Sequence, residues 1–202
     1  MRKGKTGWAS ARYLALDFET TGLDADVDEV ISYGTVWIEG GRVEMAGLSY
    51  AEASPSEFAS DASVHIHGLM PADLARSAGR LDLTAQLRST IGDNAMIVSW
   101  AAWVEAAFLA TALGGSSPAW RRRIIDVRDL VAHHDLLSSA ESPVDETLVA
   151  CAVRHGVPTA RAHHALGDAV MTAQLFVVVA TRLQRAGKGT VRDMLSLGRR
   201  AR

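Results

Sequence analysis

The sequence predicts an α/β fold in which a mixed sheet is flanked by helices. Two segments rich in β-branched and aromatic residues, at residues 30–38 and 43–50, are separated by Glu39-Gly40-Gly41-Arg42, which is typical of a hairpin. A further apolar strand precedes this hairpin. In the second half of the chain, strands at residues 95–98 and 123–127 alternate with helical patterns, which indicates parallel pairing. These segments together predict five strands, three near the N-terminus and two further parallel ones.

Helical periodicity accounts for most of the remaining chain. Leu83, Leu87 and Ile91 recur four residues apart, and Gly92 follows them as a stop signal. The segment 114–118 is rich in Gly, Ser and Pro and is predicted to be a loop. By the same criteria we predict helices at residues 71–74, 81–91, 101–113, 130–137, 144–154, 165–184 and 191–197.

The length and composition favour a single globular domain. The chain has 202 residues, of which 48% are hydrophobic and 22% charged, enough for one sizeable core. Residues 1–10 are basic and lack periodicity, so we predict a flexible N-terminal arm there. The domain is then expected at residues 11–186, with a short C-terminal helix or tail at residues 187–202.

Charge and cysteine content limit the classes of function. A net charge of −2 argues against tight non-specific DNA binding, although not against binding assisted by metal ions. Cys151 is the single cysteine, which excludes an internal disulfide and fits a reducing compartment. No apolar segment resembles a membrane span or a signal peptide, so we predict a cytoplasmic protein without a membrane partner.

Two acidic residues at the end of the first strand form the first candidate site. A strand has a period of two residues, so the side chains of Asp17 and Glu19 point to the same face. Two carboxylates in a half-buried site repel each other unless a cation or a shared proton offsets the repulsion. Two acids at this spacing are also common as exposed residues, here flanking Phe18, and the fragment alone does not separate these interpretations.

A second candidate site lies near the start of the long helix predicted at residues 165–184. His163 precedes the first turn and Asp168 lies about one turn inside, so an imidazole and a carboxylate can point to the same side. Taken alone, the segment is better explained if His163 or His164 caps the helix and Asp168 complements the helix dipole. Taken together with Asp17 and Glu19, it favours a shared site.

These segments resemble the motifs of a known enzyme family. The sequence D-x-E-T-T-G-L at residues 17–23 and H-x-A-x-x-D-A at residues 163–169 are similar to the first and third motifs of the DEDDh exonucleases. That family includes the epsilon proofreading subunit of bacterial DNA polymerase III. Residues 64–69 resemble its I-H-G-[IL] segment and residues 124–126 its strand ending in V-I-D. The resemblance covers residues 13–183 and implies a ribonuclease H-like fold and removal of nucleotides from 3′ ends.

The resemblance also assigns roles to individual residues. It places Asp17 and Glu19 on the first two metal ligands, Asp168 on the last ligand and His163 on the general base. The implied cofactors are two divalent ions, Mg²⁺ or Mn²⁺, for which carboxylates are suitable ligands. The implied substrate contacts are Thr20, Thr21, Leu23, Trp100 and His67.

The second motif departs from the family pattern H-N-A-x-F-D-x-x-F-L. Alignment on Phe108-Leu109 places Glu105 on the family's Asp, so a carboxylate is retained with one more methylene. Trp100 and Ala101 replace the His-Asn pair, and Trp100 either stacks on a base or packs a helix against the sheet. This replacement affects both the geometry of the second metal ion and the contacts near the nucleotide.

Other residues with chemical potential receive structural interpretations. We expect Trp103 to pack in the core, and Arg121-Arg122-Arg123 to be a solvated entry to a strand. His65 with His67, and His133-His134-Asp135, lack a partner cluster at zinc spacing, so surface or loop positions are expected.

These observations predict a metal-dependent 3′–5′ exonuclease that acts on single-stranded DNA or a frayed 3′ end. Two metal ions would bind the attacking and leaving oxygens, and histidine would accept a proton at neutral pH. One alternative is a catalytically degenerate module that binds nucleic acid or associates with a polymerase; the acid at position 105 argues against it. A second alternative is an exoribonuclease. The expected partners are a nucleic-acid 3′ end and a DNA polymerase or repair protein.

Overall fold

The computed structural model describes residues 6–56, 74, 77, 79–92, 95–138, 147–160 and 162–199. It contains a five-stranded sheet in the order β3-β2-β1-β4-β5. The strands are β1 Tyr13–Thr20, β2 Val30–Glu39, β3 Arg42–Glu52, β4 Met96–Ser99 and β5 Ile124–Asp126. The predicted α/β class and strand number are confirmed.

Strand pairing follows the predicted division between the two halves of the chain. β1 pairs antiparallel with β2, and β2 pairs antiparallel with β3. β1 pairs in parallel with β4, and β4 with β5. Gly40 and Gly41 have φ of 59° and 73°, values that suit glycine and close the tight hairpin between β2 and β3.

Helices cover both faces of this sheet. They are α1 Arg80–Ile91, α2 Ala102–Leu113, α3 Ser117–Arg121, α4 Val127–Leu137, α5 Leu148–His155, α6 Ala165–Arg185 and α7 Val191–Leu197. The short helix α3 occupies part of a segment predicted as loop. α5 begins later than predicted because the Thr147 hydroxyl accepts a hydrogen bond from the Ala150 N–H and caps it. The predicted helix at residues 71–74 lies outside the described residues except for Leu74.

Alternation along β1 divides the core into two parts. Tyr13 and Ala15 belong to the cluster packed under α6, whereas Leu14 and Leu16 belong to the cluster under α1 and α2. The same period of two carries the next odd-numbered residues, Asp17 and Glu19, to the α6 side. The two-residue period of β1 therefore determines which helix meets the acidic residues.

Helix α6 is the most apolar long helix in the described ranges. By length and composition it could cross a membrane. Half of its most apolar stretch, however, is buried within the protein. Its buried residues pack against β1 and β2. Among them is Phe176, whose ring centroid lies 4.9 Å from the centroid of the Tyr13 ring. The prediction that no segment approaches a membrane span is thus corrected, and the packing is that of a core helix.

The N-terminal residues differ from the predicted flexible arm. Trp8 is buried, its N–H donates to the Gly189 carbonyl, and its indole Nε1–H donates to Gln184 Oε1 at 2.7 Å. Gly7 forms a β-bridge with Thr190. The prediction is therefore wrong for residues 6–10, because a large aromatic ring is buried against α6.

The predicted C-terminal helix is present as α7 and belongs to the same core. Val191 and Met194 are buried, and Met194 joins the cluster under α6. The Thr190 hydroxyl and the Asp193 carboxylate form a reciprocal capping box at its start. A boundary near residue 186 therefore does not mark the end of the packed structure.

Candidate metal centre

A glycine on β2 allows the start of α6 to approach the sheet near Asp17. Gly34 pairs with Asp17 across β1 and β2. A Cβ atom at Gly34 would lie 2.2 Å from the Leu166 backbone nitrogen and 2.3 Å from the Ala165 carbonyl carbon. Since only glycine permits this approach, the first turn of α6 comes close enough to bring Asp168 to the acidic end of β1.

Three of the four predicted acidic ligands meet at this position. Ligand oxygens of Asp17, Glu19 and Asp168 lie within 4.8 Å of one another. Glu19 and Asp168 are only 8% and 9% exposed. The alternative in which Asp17 and Glu19 are merely exposed polar residues is therefore wrong.

Burial and mutual repulsion raise the pKa values of these carboxylates. The pKa of Asp17 is raised well above its ordinary value by burial first, and then by the charges of Glu105, Glu19 and Asp168. Burial, followed by the charge of Asp168, raises the pKa of Glu19 to about 8. Burial also raises the pKa of Asp168, although a hydrogen bond from the His163 N–H opposes this. A cation among these oxygens would reverse the repulsion.

Glu105 lies beside this cluster, on the side of β4 and β5. It is in the first turn of α2, is 3% exposed, and contributes the largest charge effect on the pKa of Asp17. Burial, and then the Asp126 charge, raise the pKa of Glu105 to about 8. The structure therefore places Glu105 near Asp17 but outside the group of three close carboxylates.

Asp126 is a structural residue of the site whose role the sequence did not reveal. Its Oδ2 accepts a hydrogen bond from the Ala102 N–H and its Oδ1 one from the Asp129 N–H, both at 3.1 Å. Ala101 gives α2 no side-chain cap, so the Asp126 carboxylate satisfies the first turn instead. Burial raises the pKa of Asp126 to about 6. Its position as the last residue of the V-I-D-like strand was the available signal.

Arg121 reinforces the same junction. Its Nη2 lies 3.9 Å from Asp126 Oδ2 and 3.7 Å from Asp129 Oδ2. Its Nη1 donates to the carbonyls of Ile124 and Gly198, each at 3.2 Å. The prediction of a solvated strand entry is therefore wrong for Arg121, which is held by two carboxylates and two carbonyls.

The two adjacent histidines have different roles in the structure. His163 is exposed and has a φ of 58°, and its N–H donates to Asp168 Oδ2 at 3.0 Å. His164 is the N-cap of α6, where its Nδ1 accepts from the Gly167 N–H at 3.4 Å. The capping interpretation therefore applies to His164, whereas His163 presents its ring to solvent next to Asp168.

The predicted substrate contacts after β1 lie in a tight turn. The Thr20 hydroxyl donates to the Gly22 carbonyl at 2.5 Å, and the Thr21 hydroxyl donates to Asp28 Oδ1 at 2.9 Å. Leu23 is 65% exposed. The hydroxyls stabilise the turn, and Leu23 is the side chain in it that remains available to a ligand.

The tryptophans of the second motif differ from expectation in one case. Trp100 is partly buried against the core cluster under α6, in agreement with its packing alternative. Trp103 is 50% exposed, so the prediction that it packs in the core is wrong. α2 turns Glu105, Ala106 and Leu109 inward and Trp103 outward. His65 and His67, with the I-H-G-like segment, lie outside the described residues.

The segment His133-His134-Asp135 lies on helix α4 and differs from the expected surface position. Asp135 is 1% exposed, and its carboxylate lies 2.9 Å from Arg154 Nη1 and 3.1 Å from His134 Nδ1. His155, on α5, is also buried, and its Nδ1 is 2.6 Å from Arg182 Nη1. These groups form a buried ionic junction between α4, α5 and α6.

Comparison with protein families identifies the chain's relatives. The RNase T family model, described as exonuclease, matches residues 14–176. The chain is 27% identical over 193 residues to the PolC-type DNA polymerase III of Thermotoga maritima, a match that covers 94% of this chain. It is 28% identical over 183 residues to the Thermotoga petrophila protein, covering 90% of this chain. The chain spans 13% of the length of each of these relatives.

Solved structures with the same fold include two nucleases. Escherichia coli exonuclease I in complex with a dT13 oligonucleotide has a TM-score of 0.74 and 17% identity, covering 88% of this chain and 42% of that chain. Cell-death related nuclease 4 has a TM-score of 0.69 and 17% identity, covering 87% of this chain and 64% of that chain. This likeness confirms the ribonuclease H-like fold.

Proposed function

Because the chain belongs to the RNase T exonuclease family, we propose that it is a metal-dependent 3′–5′ exonuclease. The observation that carries this proposal is the meeting of Asp17, Glu19 and Asp168, whose ligand oxygens lie within 4.8 Å of one another. Three close carboxylates with raised pKa values, two of them buried, are best explained by a cation that binds among them.

The residues present fit divalent metal ions. Asp168 Oδ1 and Glu105 Oε2 are buried and have no hydrogen-bond partner within the described chain. Oxygen donors of this kind suit Mg²⁺ or Mn²⁺. Asp17, Glu19 and Asp168 would hold one ion, and Asp17 with Glu105 would hold a second. When bound, the ions supply Lewis acidity and neutralise charge on the phosphodiester.

His163 is the proposed general base. Its backbone N–H donates a hydrogen bond to Asp168 Oδ2 at 3.0 Å, which holds the backbone of His163 next to the ligand cluster. A histidine imidazole in this position can accept a proton from an attacking water. His164 is occupied as the N-cap of α6 and is therefore not the base.

The proposed substrate is single-stranded DNA or a frayed DNA 3′ end. The relatives include PolC-type DNA polymerases III, and a solved structure of the same fold is a complex with a dT13 oligonucleotide. These similarities support DNA over RNA and make a DNA polymerase a reasonable partner. Leu23, exposed in the turn after β1, is the proposed contact to the terminal nucleotide.

A degenerate module that binds nucleic acid without hydrolysis is the second candidate. The observation that favours it is the position of Glu105, outside the three close carboxylates, together with Trp100-Ala101 in place of the family's His-Asn pair. The buried carboxylate of Glu105 next to Asp17 favours the enzyme.

A single assay tests these alternatives. A 5′-labelled single-stranded DNA oligonucleotide should give a ladder that shortens from its 3′ end with Mg²⁺ or Mn²⁺. A circular single strand should resist, and an RNA of the same sequence measures sugar preference. Excess EDTA and the Asp17→Asn variant should each abolish cleavage. Cleavage in excess EDTA would contradict the mechanism, whereas metal-independent binding without cleavage would establish the degenerate module.

A further inference from the structure

A tyrosine on β3 contacts the segment that carries the proposed base. The Tyr50 ring stacks on the His164 ring, with centroids 5.0 Å apart and an interplanar angle of 16°. His164 directly follows His163 in the chain. We propose that Tyr50 is a positioning residue that holds His163 at the metal centre through His164, an inference that rests on the proposed exonuclease function.

The register of the sheet explains why Tyr50 reaches this segment. Asp17 pairs with Gly34, and Gly34 pairs with Tyr50, so the three residues form a row across β1, β2 and β3. Residues directly opposite one another in a sheet share a face. The start of α6 lies over Gly34, at the centre of the row. Asp17, at one end of the row, therefore lies near Asp168, and Tyr50, at the other end, stacks on His164.

The Tyr50 ring is itself held in place. Its hydroxyl donates to the Glu52 carboxylate, whose other oxygen accepts from the Ser77 hydroxyl at 3.2 Å. Burial, and then the hydrogen bond to Glu52, raise the pKa of Tyr50 above its ordinary value. The ring thus stays neutral and anchored throughout the pH range in which a histidine base operates.

His163 needs contacts of this kind because of its backbone conformation. A φ of 58° is in the left-handed region, which residues other than glycine populate sparsely. Two contacts flank this residue. On one side its own N–H is bonded to Asp168 Oδ2, and on the other the next residue is stacked on Tyr50. Removal of the Tyr50 ring leaves His163 with the first contact and His164 with only its capping bond from the Gly167 N–H.

Hydrogen exchange at the His163 amide tests the inference without any assay of activity. In Tyr50→Leu this amide should exchange faster by roughly 2- to 13-fold, the change in equilibrium that corresponds to one aromatic pair. Tyr50→Phe keeps the stacked ring but loses its anchoring bond to Glu52, so the His163 amide should exchange at a rate between those of the parent and Tyr50→Leu. The Leu175 amide, within α6, should be unchanged in both variants. Unchanged exchange at His163 in Tyr50→Leu, or equal acceleration at Leu175, would overturn the proposal.

Kinetics supply the second test. Tyr50→Leu should lower kcat for the DNA oligonucleotide by a similar factor with little change in KM, and Tyr50→Phe should recover part of the lost kcat. In a His163→Ala background, Tyr50→Leu should cause no further loss, because Tyr50 acts through His163. An equal loss in both backgrounds would assign Tyr50 a general structural role. Because the exchange experiment needs no turnover, this inference and the proposed function fail separately.

Discussion

His163 and His164 are adjacent in the chain, yet the structure gives them different environments. Only His163 is exposed beside Asp168, while His164 caps α6. We therefore expect His163→Ala to lower kcat by on the order of 10²- to 10⁴-fold, the range for loss of a general base. His164→Ala should lower kcat by much less, about as much as Tyr50→Leu. Steady-state kinetics with the DNA oligonucleotide provide the measurement, and the reverse order would show that His164 is the base.

Substitution of Glu105 should change metal-dependent cleavage and the stability of the metal-free protein in opposite directions. Glu105→Asp moves the carboxylate by roughly 1 Å, a displacement that costs on the order of 100-fold in a catalytic site. Since Glu105 already lies outside the three close carboxylates, shortening it should lower metal-dependent cleavage. Glu105→Gln should also lower cleavage but stabilise the metal-free protein at pH 9, where it removes a charge near Asp17. Cleavage equal to the parent in Glu105→Ala would exclude this residue from the site.

The contact between β2 and α6 determines the geometry of the site at the scale of whole elements. In Gly34→Ala the new methyl group would overlap the backbone of Ala165 and Leu166, at 2.3 and 2.2 Å. Overpacking typically costs about 1–3 kcal/mol, and displacement of α6 would carry Asp168 away from Asp17. We expect both a lower urea midpoint and a large loss of kcat. Gly7→Ala is the matched control, since its Cβ would meet nothing closer than 3.9 Å.

Elements with a clear period were predicted well, whereas their contacts were not. The two-residue period of a strand was enough to place Asp17 and Glu19 on one face of β1. Helix α2 is alanine-rich and apolar on several sides, so its sequence did not show that Trp103 faces outward. The hydrogen bond between Ala102 and Asp126 joins residues 24 positions apart, and the one between Trp8 and Gln184 joins residues 176 positions apart. Such pairings depend on tertiary packing, which no local pattern reports.

The acidic cluster gives the whole molecule a characteristic pH dependence. The folded pKa values of Asp17, Glu19, Glu105 and Asp168 are raised, to about 8 for Glu19 and for Glu105. The folded state therefore binds more protons than the unfolded state, so this contribution to stability is full below the unfolded pKa values and is lost as pH rises through the folded ones.

We accordingly expect the Tm of the metal-free protein to fall between about pH 5 and pH 9, with each group contributing at most about 1.4 kcal/mol per pH unit. Mg²⁺ or Mn²⁺ should restore stability at the upper end, because a bound cation favours the ionised carboxylates. Glu19→Gln should flatten the profile. Calorimetry in EDTA and in excess metal ion provides the measurement. A Tm that rises with pH in EDTA would contradict this account.

The β-bridge between Gly7 and Thr190 has a consequence for the connectivity of the chain. The Trp8 N–H bonds to the Gly189 carbonyl and the Val191 N–H bonds to the Thr6 carbonyl, so the two end segments run side by side at one corner. The chain continues from this corner through α7 to Gly198, whose carbonyl accepts a hydrogen bond from the Asp126 N–H. The segment from Gly189 to Gly198 therefore fastens the N-terminal residues at one end and the end of β5 at the other, so removal of α7 should loosen both.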